Sequence, residues 1–533
     1  TGYNRSFLFD DNDTFAHDNL LNRLASENLK ADPGAFSVYC NDGFTLAEIL
    51  VEKVSGISFT EFLDKEFFTP LNLKNTKTPL SDFDHKNLAK TYSPFDGTAT
   101  LRDTINVIGA GGVYSTAEEV CKFGDLLTGR YPELLSKESV EAMQQSEYLK
   151  GVWPDSEDSI IGYGLGWDSV NMYPFNQYGI KAYTKGGDTG LYHASIVSVP
   201  QYNISATVLE SGGSSIFATI MASQMILERL LERGVIDEIK EQMTFTAPVK
   251  TPMPEGIESF SGAYAATGNG INVKISNDEV RVDTTPEQVF VHTKDGIFES
   301  PDGSTSISFV LEDNGLTYLH MKTYMTLPGV GQTIIDEYNA QKLEKNPITD
   351  EVKAIWNERN GKRYFTLNDK KTSELMLTMP SKVVKVDAEN GYASACKIID
   401  ENTAVNFVQI PGMNGRDSFD LNFYEENNKK YLKDLDNIRI CEDSVDPVWV
   451  GSGGVCTILD NGYLRWYTVP TEAVGMRMTV KMPSKAEIFV YDEKGMIVKP
   501  ETVTDGCSII LPNNGMIVFA GDIGDVFGID IEQ

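Results

Sequence analysis

Tyr39 and Asn41 stand two residues apart in the stretch Pro33-Gly34-Ala35-Phe36-Ser37-Val38-Tyr39-Cys40-Asn41-Asp42-Gly43-Phe44, placing a phenol and a carboxamide on one turn. A phenol can move a proton, and a carboxamide can hold a substrate amide through both its donor and its acceptor. Both are needs of acyl transfer. A free tyrosine phenol titrates at about 10, so it serves as a base only where nearby cations favour phenolate. A lysine stands downstream in Lys185-Gly186-Gly187-Asp188, ahead of two strand-like runs. Each motif alone is common in ordinary turns and strands, so their order and setting carry the reading.

The elements that must position these groups are well marked. After the Pro33-Gly34 turn, the pattern predicts a helix over about Leu46 to Val54, with Thr45 and Glu48 as a capping box. Leu46, Leu50 and Val54 would line one face, and Gly56 would end it. Ser58 with Glu61 opens a further helix that Pro70 closes. Tyr39 and Asn41 therefore sit in the loop entering a helix. The run Gly109 to Thr116 is a glycine-rich turn before a helix capped by Thr116 and Glu119, without Walker or Rossmann spacing. Gly162-Tyr163-Gly164-Leu165-Gly166-Trp167 alternates like a strand. The Lys185 segment precedes strand-like runs at Tyr192 to Val199 and Ile204 to Glu210, then a long apolar helix from about Ile216 to Arg233. These elements predict an α/β domain over residues 1–245. His193 falls on one of the strands and reads as structural.

The second half changes character. Residues 246–257 form a proline-rich linker, and short β-patterned runs follow to the end of the chain. They include Asn272 to Ile275, Ser306 to Leu311, Leu375 to Met379, Ala404 to Ile410 and Met516 to Ala520. Turns such as Asn314-Gly315 and Asn461-Gly462 separate them, as in antiparallel sandwiches or barrels. A helical insert at about Thr349 to Asn360 divides this half into two β-rich domains, 258–348 and 349–533.

Composition narrows the partners. The 533 residues carry a formal charge of −31, which serves solubility and argues against nucleic acid and anionic membrane surfaces as partners. No apolar run is long enough for a membrane span. The cysteines at 40, 121, 396, 441, 456 and 507 show neither zinc-ligand nor disulfide-framework spacing and lean towards a reducing, cytoplasmic compartment. An upstream signal peptide would place the protein outside the cytoplasm instead.

The order Tyr39-x-Asn41, Gly111-Gly112-Val113-Tyr114-Ser115-Thr116, Gly162 to Trp167 and Lys185-Gly186-Gly187 resembles the serine hydrolases related to class C β-lactamases and D,D-peptidases. That family includes penicillin-binding-protein-like esterases and D-aminopeptidases. The resemblance covers about Ala31 to Gly234 and implies a β-lactamase-like α/β (α+β) catalytic domain, here followed by two antiparallel β barrel or sandwich domains. It implies Tyr39 as the proton-transfer group beside the nucleophile, Asn41 as the group that positions the amide or ester, and Lys185 as a positive charge beside Tyr39. It further implies that Gly186 and Gly187 bed the substrate and that the Asp188 backbone N–H donates to an oxyanion. Substrates would be small amides or esters, a D-residue peptide or a carboxylic ester above all, with no metal or organic cofactor. The family's Ser-x-x-Lys should precede Tyr39, but the only such run is Ser394-Ala395-Cys396-Lys397. The nucleophile is therefore expected on an upstream fragment outside this chain, because Thr1 reads as a mid-domain start. The alternative is a non-catalytic penicillin- or peptide-binding protein that retains the pocket. Nothing supports Thr1 as an N-terminal nucleophile. A loop from the β-rich half is expected to reach over the site and restrict substrate size.

Overall fold

Cys40 starts the helix that carries the first motif. Its extended backbone leads into a helix at Asn41–Ser55, and its Sγ accepts from the Gly43 amide at 3.4 Å. The helix thus begins a full turn before the expected Thr45 cap. Thr45 and Glu48 are both buried inside it. Thr45 donates to the Asn41 carbonyl, and the Glu48 carboxylate accepts the Gly109 amide at 2.7 Å. Leu46, Leu50 and Val54 are exposed, so the expected apolar face is not the packed one. The packed face is polar because it must meet the orphan amide of the short helix at Ile108–Gly111. Gly56 ends the Asn41–Ser55 helix in the left-handed region, its amide on Glu52.

This is a computed structural model. It describes residues 7–532 apart from 26, 94–96, 157, 267, 277, 295, 379, 380, 418, 460, 461, 499, 500, 504 and 505. Thr1, Met379 and Asn461 lie outside the described residues. The chain groups into two units: Glu27–Lys345 with Phe407–Ser418, and Thr1–Ser26 with Asn346–Asn406 and Phe419–Gln533.

In the first of these units, Tyr183–Asp188, His193–Val199 and Ile204–Glu210 form an antiparallel three-stranded sheet in sequence order. The helix Ser215–Glu232 covers it, burying Ala222, Ile226, Leu227 and Leu230 against Val197, Val199 and Ala206. Residues 162–167 are not the expected strand. Gly166 takes φ +86 and turns the chain, so that Asp168 and Ser169 return to bond Thr184. Eight strands from Gly262–Ala266 to Gly331–Lys342 close into a barrel, filled by Tyr264, Val273, Phe290, Phe298, Ile307 and Leu319 among others. The sequence sets this barrel apart as a domain at 258–348, yet it groups with the Tyr183–Glu210 sheet in one unit. Ile335 of its last strand packs on the core of the Ser215–Glu232 helix, and Gln332 bonds both the amide and the carbonyl of Met243.

The other unit takes in the start of the chain, which the sequence assigns to the first domain. Phe9 and Phe7 pair through their backbones with Thr372 and Glu374, and Leu8 is buried. A nine-stranded antiparallel sheet lies between Arg363 and Cys441. A five-stranded and a three-stranded sheet follow between Gly451 and Glu532, sharing a core that includes Met478, Val490, Ile517 and Phe527. A second core joins the nine-stranded to the three-stranded sheet through Phe365, Ile440, Trp466 and Val518. The insert helix is Asp350–Asn357, capped by Thr349, with Trp356 buried. Two expected strands fail. Leu375–Thr378 is a helical turn, started by the Ser373 hydroxyl accepting the Leu375 amide. Pairing near Ala404 stops at Val405, because Asp420 takes the Asn406 amide.

Among the described residues no helix is long and apolar enough to cross a membrane, and none of the six cysteines is in a disulfide. Gly109 is a sensitive joint: an added Cβ would lie 2.8 Å from the Glu48 Cβ and 2.9 Å from the Phe44 carbonyl oxygen. Gly109→Ala should cost about 1–3 kcal/mol in urea unfolding. An unchanged midpoint would show that this contact does not hold the helix.

Candidate active site

Tyr39 is held from both sides in sequence. The Cys40 cap follows it, and the chain at Gly412 lies along it: the Tyr39 amide donates to the Gly412 carbonyl at 3.2 Å, and the Gly412 amide donates to the Ser37 carbonyl at 2.9 Å. Val38 and Gly412 thereby form a parallel bridge. Asn41 is the first helical residue and is buried.

Lys185 comes from the third position of the edge strand Tyr183–Asp188. Its Nζ lies 5.4 Å from the centroid of the Tyr39 ring. It donates to Asp168 at 3.3 Å and to the Gly186 carbonyl. Burial pulls this ammonium down, but Asp168 and the Tyr39 phenol outweigh burial and hold it above the usual lysine range. Asp168 also accepts the Gly186 amide at 2.7 Å, so one carboxylate fixes both the cation and the strand that carries it. Asp168 stands just after the glycine-rich turn, and the sequence reading missed it. A polar residue after such a turn was the available signal.

Gly186 packs tightly, its Cβ position lying 3.2 Å from the Ser215 hydroxyl, whereas a Cβ at Gly187 would meet no atom within 4 Å. The backbone beside Gly187 has room for an extended ligand, as an edge strand requires. Asp188 ends the strand, and its side chain does structural work: it accepts from Ser215 N at 2.9 Å and Ser215 Oγ at 2.5 Å and meets His193 Nδ1 at 2.6 Å. Partial burial opposes its ionisation, yet these partners hold the carboxyl below the usual range. The strand end is thereby tied to the start of the Ser215–Glu232 helix.

Four further residues near the site were given no role from the sequence, although Tyr163 lies in the run from Gly162 to Trp167. The Arg416 guanidinium carbon lies 4.8 Å from the Tyr39 ring centroid, and Arg416 Nε donates to Asp417 at 2.7 Å. Lys30 donates to the Gly415 carbonyl. The phenol of Tyr163 is buried with no hydrogen-bond partner among the described residues. Burial raises it well above the ordinary tyrosine value; Asp168, Glu337 and Tyr39 add to this, and Arg416 opposes it. Glu337, on the barrel strand Gly331–Lys342, accepts the Met413 amide at 3.3 Å. Burial pushes its carboxyl up to about 7.

Ser394 is not placed as a family nucleophile would be. Ser394 and Ala395 both have positive φ and form the two-residue turn between strands Tyr392–Ala393 and Cys396–Ile398. A Ser-x-x-Lys pair shares a face when it lies on a helix, and here it straddles a hairpin. Among the described residues no metal-ligand cluster is present.

The family model for beta-lactamase matches residues 1–228. Residues 1–228 are a beta-lactamase family domain. The D-alanyl-D-alanine-carboxypeptidase/endopeptidase AmpH of Escherichia coli strain K12 is 28% identical over 192 residues, covering 35% of this chain and 48% of that protein. Penicillin-binding protein 4 of Amycolatopsis lactamdurans is 25% identical over 247 residues, covering 44% of this chain and 61% of that protein. The chain therefore spans about half the length of AmpH. Among solved structures, the octameric penicillin-binding protein homologue from Pyrococcus abyssi matches at TM-score 0.34 and 20% identity, over 58% of this chain and 66% of that one. Members of the family are serine hydrolases. Antiparallel barrel and open-sheet β structure makes up most of the rest of the chain.

Glu337 generates a pH test. Its folded carboxyl titrates near 7 against an ordinary 4.5, so the folded state holds the proton more tightly. Stability should fall as pH rises from about 4.5 to 7, where the unfolded chain has already released that proton. Glu337→Gln should flatten this part of the profile in urea titrations at pH 5 and pH 8. Equal pH slopes in both proteins would contradict the assignment.

Proposed function

We propose that this chain supplies the proton-transfer and substrate-holding groups of a serine hydrolase acting on small amides or esters, a D-residue peptide or a carboxylic ester in particular. The observation that carries the reading is the Lys185 ammonium, fixed by Asp168 and set 5.4 Å from the Tyr39 ring. The nucleophile is a serine of a Ser-x-x-Lys segment outside residues 1–533. In the proposed sequence, Tyr39 takes the proton of that serine as it attacks the carbonyl carbon. The amine or alcohol leaves with a proton returned through Tyr39, and water then hydrolyses the acyl-enzyme.

Lys185 stabilises negative charge on the phenol, and Asn41 holds the substrate amide. Gly186 and Gly187 let the substrate lie along the edge strand, and the Asp188 amide serves the developing oxyanion. The chain around Gly412 borders this site and limits substrate size. Its backbone pairing with Ser37 and Tyr39 supports that role.

In the full-length protein, including whatever precedes Thr1, Tyr39→Phe should lower kcat/KM on a D-amino-acid ester by roughly a hundred- to ten-thousand-fold, with the melting temperature unchanged. Near-normal turnover by that variant would remove Tyr39 from the mechanism.

A further inference from the structure

The helix Asn41–Ser55 carries its polar residues inwards and its apolar residues outwards. Asn41, Thr45 and Glu48 are buried; Glu48 holds the Gly109 amide, and Glu52 accepts the Phe59 amide at 2.8 Å. Leu46, Leu50 and Val54 are 40, 63 and 80% exposed, and Gly43 and Ala47 beside them are exposed too. These five residues recur at three- and four-residue steps, so they form one stripe, and all five are uncharged. A surface helix ordinarily turns such a stripe to its core, and an apolar surface left open marks a binding face.

Position, shape and chemistry select the occupant. Tyr39 stands two residues before the helix and Asn41 is its first residue, so an element lying on the stripe packs on the helix that carries the site. From Leu46 to Val54 the stripe rises about 12 Å, two turns and the length of a helix–helix contact. Its end nearest Tyr39 holds the small residues Gly43 and Ala47, which let a second helix axis come close there. A Ser-x-x-Lys pair shares a face only on a helix, so the nucleophile arrives on one, and that helix needs apolar surface to pack against. The net charge of −31 disfavours an anionic lipid surface as the occupant.

We infer that the stripe of Gly43, Leu46, Ala47, Leu50 and Val54 is the docking face for the helix bearing the Ser-x-x-Lys nucleophile, which packs along it and brings its serine to the Tyr39 phenol. The inference rests on the proposed reading that this serine lies outside residues 1–533. It deepens that reading by naming the surface that receives the segment.

The test is site-specific photocrosslinking in the full-length protein, with benzoylphenylalanine in place of Leu50 and, separately, of Val54, followed by peptide mapping. Both positions should crosslink within one molecule to a peptide containing Ser-x-x-Lys. A crosslink to a second copy, to lipid or to a peptide within residues 1–533, or none at all, would overturn the inference. In parallel, Leu50→Asp should slow fluorophosphonate labelling of the upstream serine at least about tenfold, because a carboxylate would be trapped in an apolar contact. Val249→Asp, at a linker position 82% exposed, should leave the rate unchanged. An unaltered rate in Leu50→Asp would count against the docking face; if that variant does not fold, the crosslinks decide. Crosslinks to the Ser-x-x-Lys peptide without labelling of its serine would uphold the docking face while defeating the hydrolase reading. Labelling of that serine with crosslinks elsewhere would do the reverse.

Discussion

The ion pair between Asp168 and Lys185 is the interaction on which the site depends. Burial of an ammonium beside a phenol lowers its pKa, and a carboxylate partner opposes that shift. Asp168 provides that compensation and accepts the Gly186 amide, so charge and strand position are set by one group. The Asp188 carboxylate does the analogous work at the strand end, binding Ser215 and His193. Between these two anchors the glycines remain bare backbone. The architecture reads as a rigid edge strand presented to a phenol.

Much of this was legible in the sequence where local chemistry decides the outcome. The strand at Ile204–Glu210 and the helix at Ser215–Glu232 follow from uninterrupted periodicity and clean stops. The sequence singled out Tyr39 and Lys185, and the structure brings the Lys185 Nζ to 5.4 Å from the Tyr39 ring centroid. The helix after Asn41 shows where such reasoning fails. Thr45 and Glu48 have the form of a capping box, but the Glu48 carboxylate is spent on Gly109, sixty-one residues away. A thiol then takes the cap position, which propensity does not favour. Residues 375–378 look β-patterned and are helical, because the Ser373 hydroxyl competes locally for a backbone amide.

Arg416 and Glu337 were invisible for a different reason. Glu337 lies on the barrel strand Gly331–Lys342, Arg416 reaches Tyr39 on a short segment far downstream, and no local pattern marks either. That segment groups with the hydrolase-like unit although the chain on either side of it belongs to the other one. A contiguous domain boundary drawn from composition cannot express such an excursion. Backbone pairing with Ser37 and Tyr39 shows why it is stable: edge groups of the first motif find partners there that they would otherwise have to find in water.

The central claim is that the Tyr39–Lys185 pair serves a serine lying outside residues 1–533. Incubating the full-length protein with a fluorophosphonate, followed by intact-mass measurement and peptide mapping, tests it most directly. The account predicts a single stable adduct on a serine outside this stretch. An adduct on Ser394 or on any other serine within residues 1–533, or no adduct at all, would contradict it.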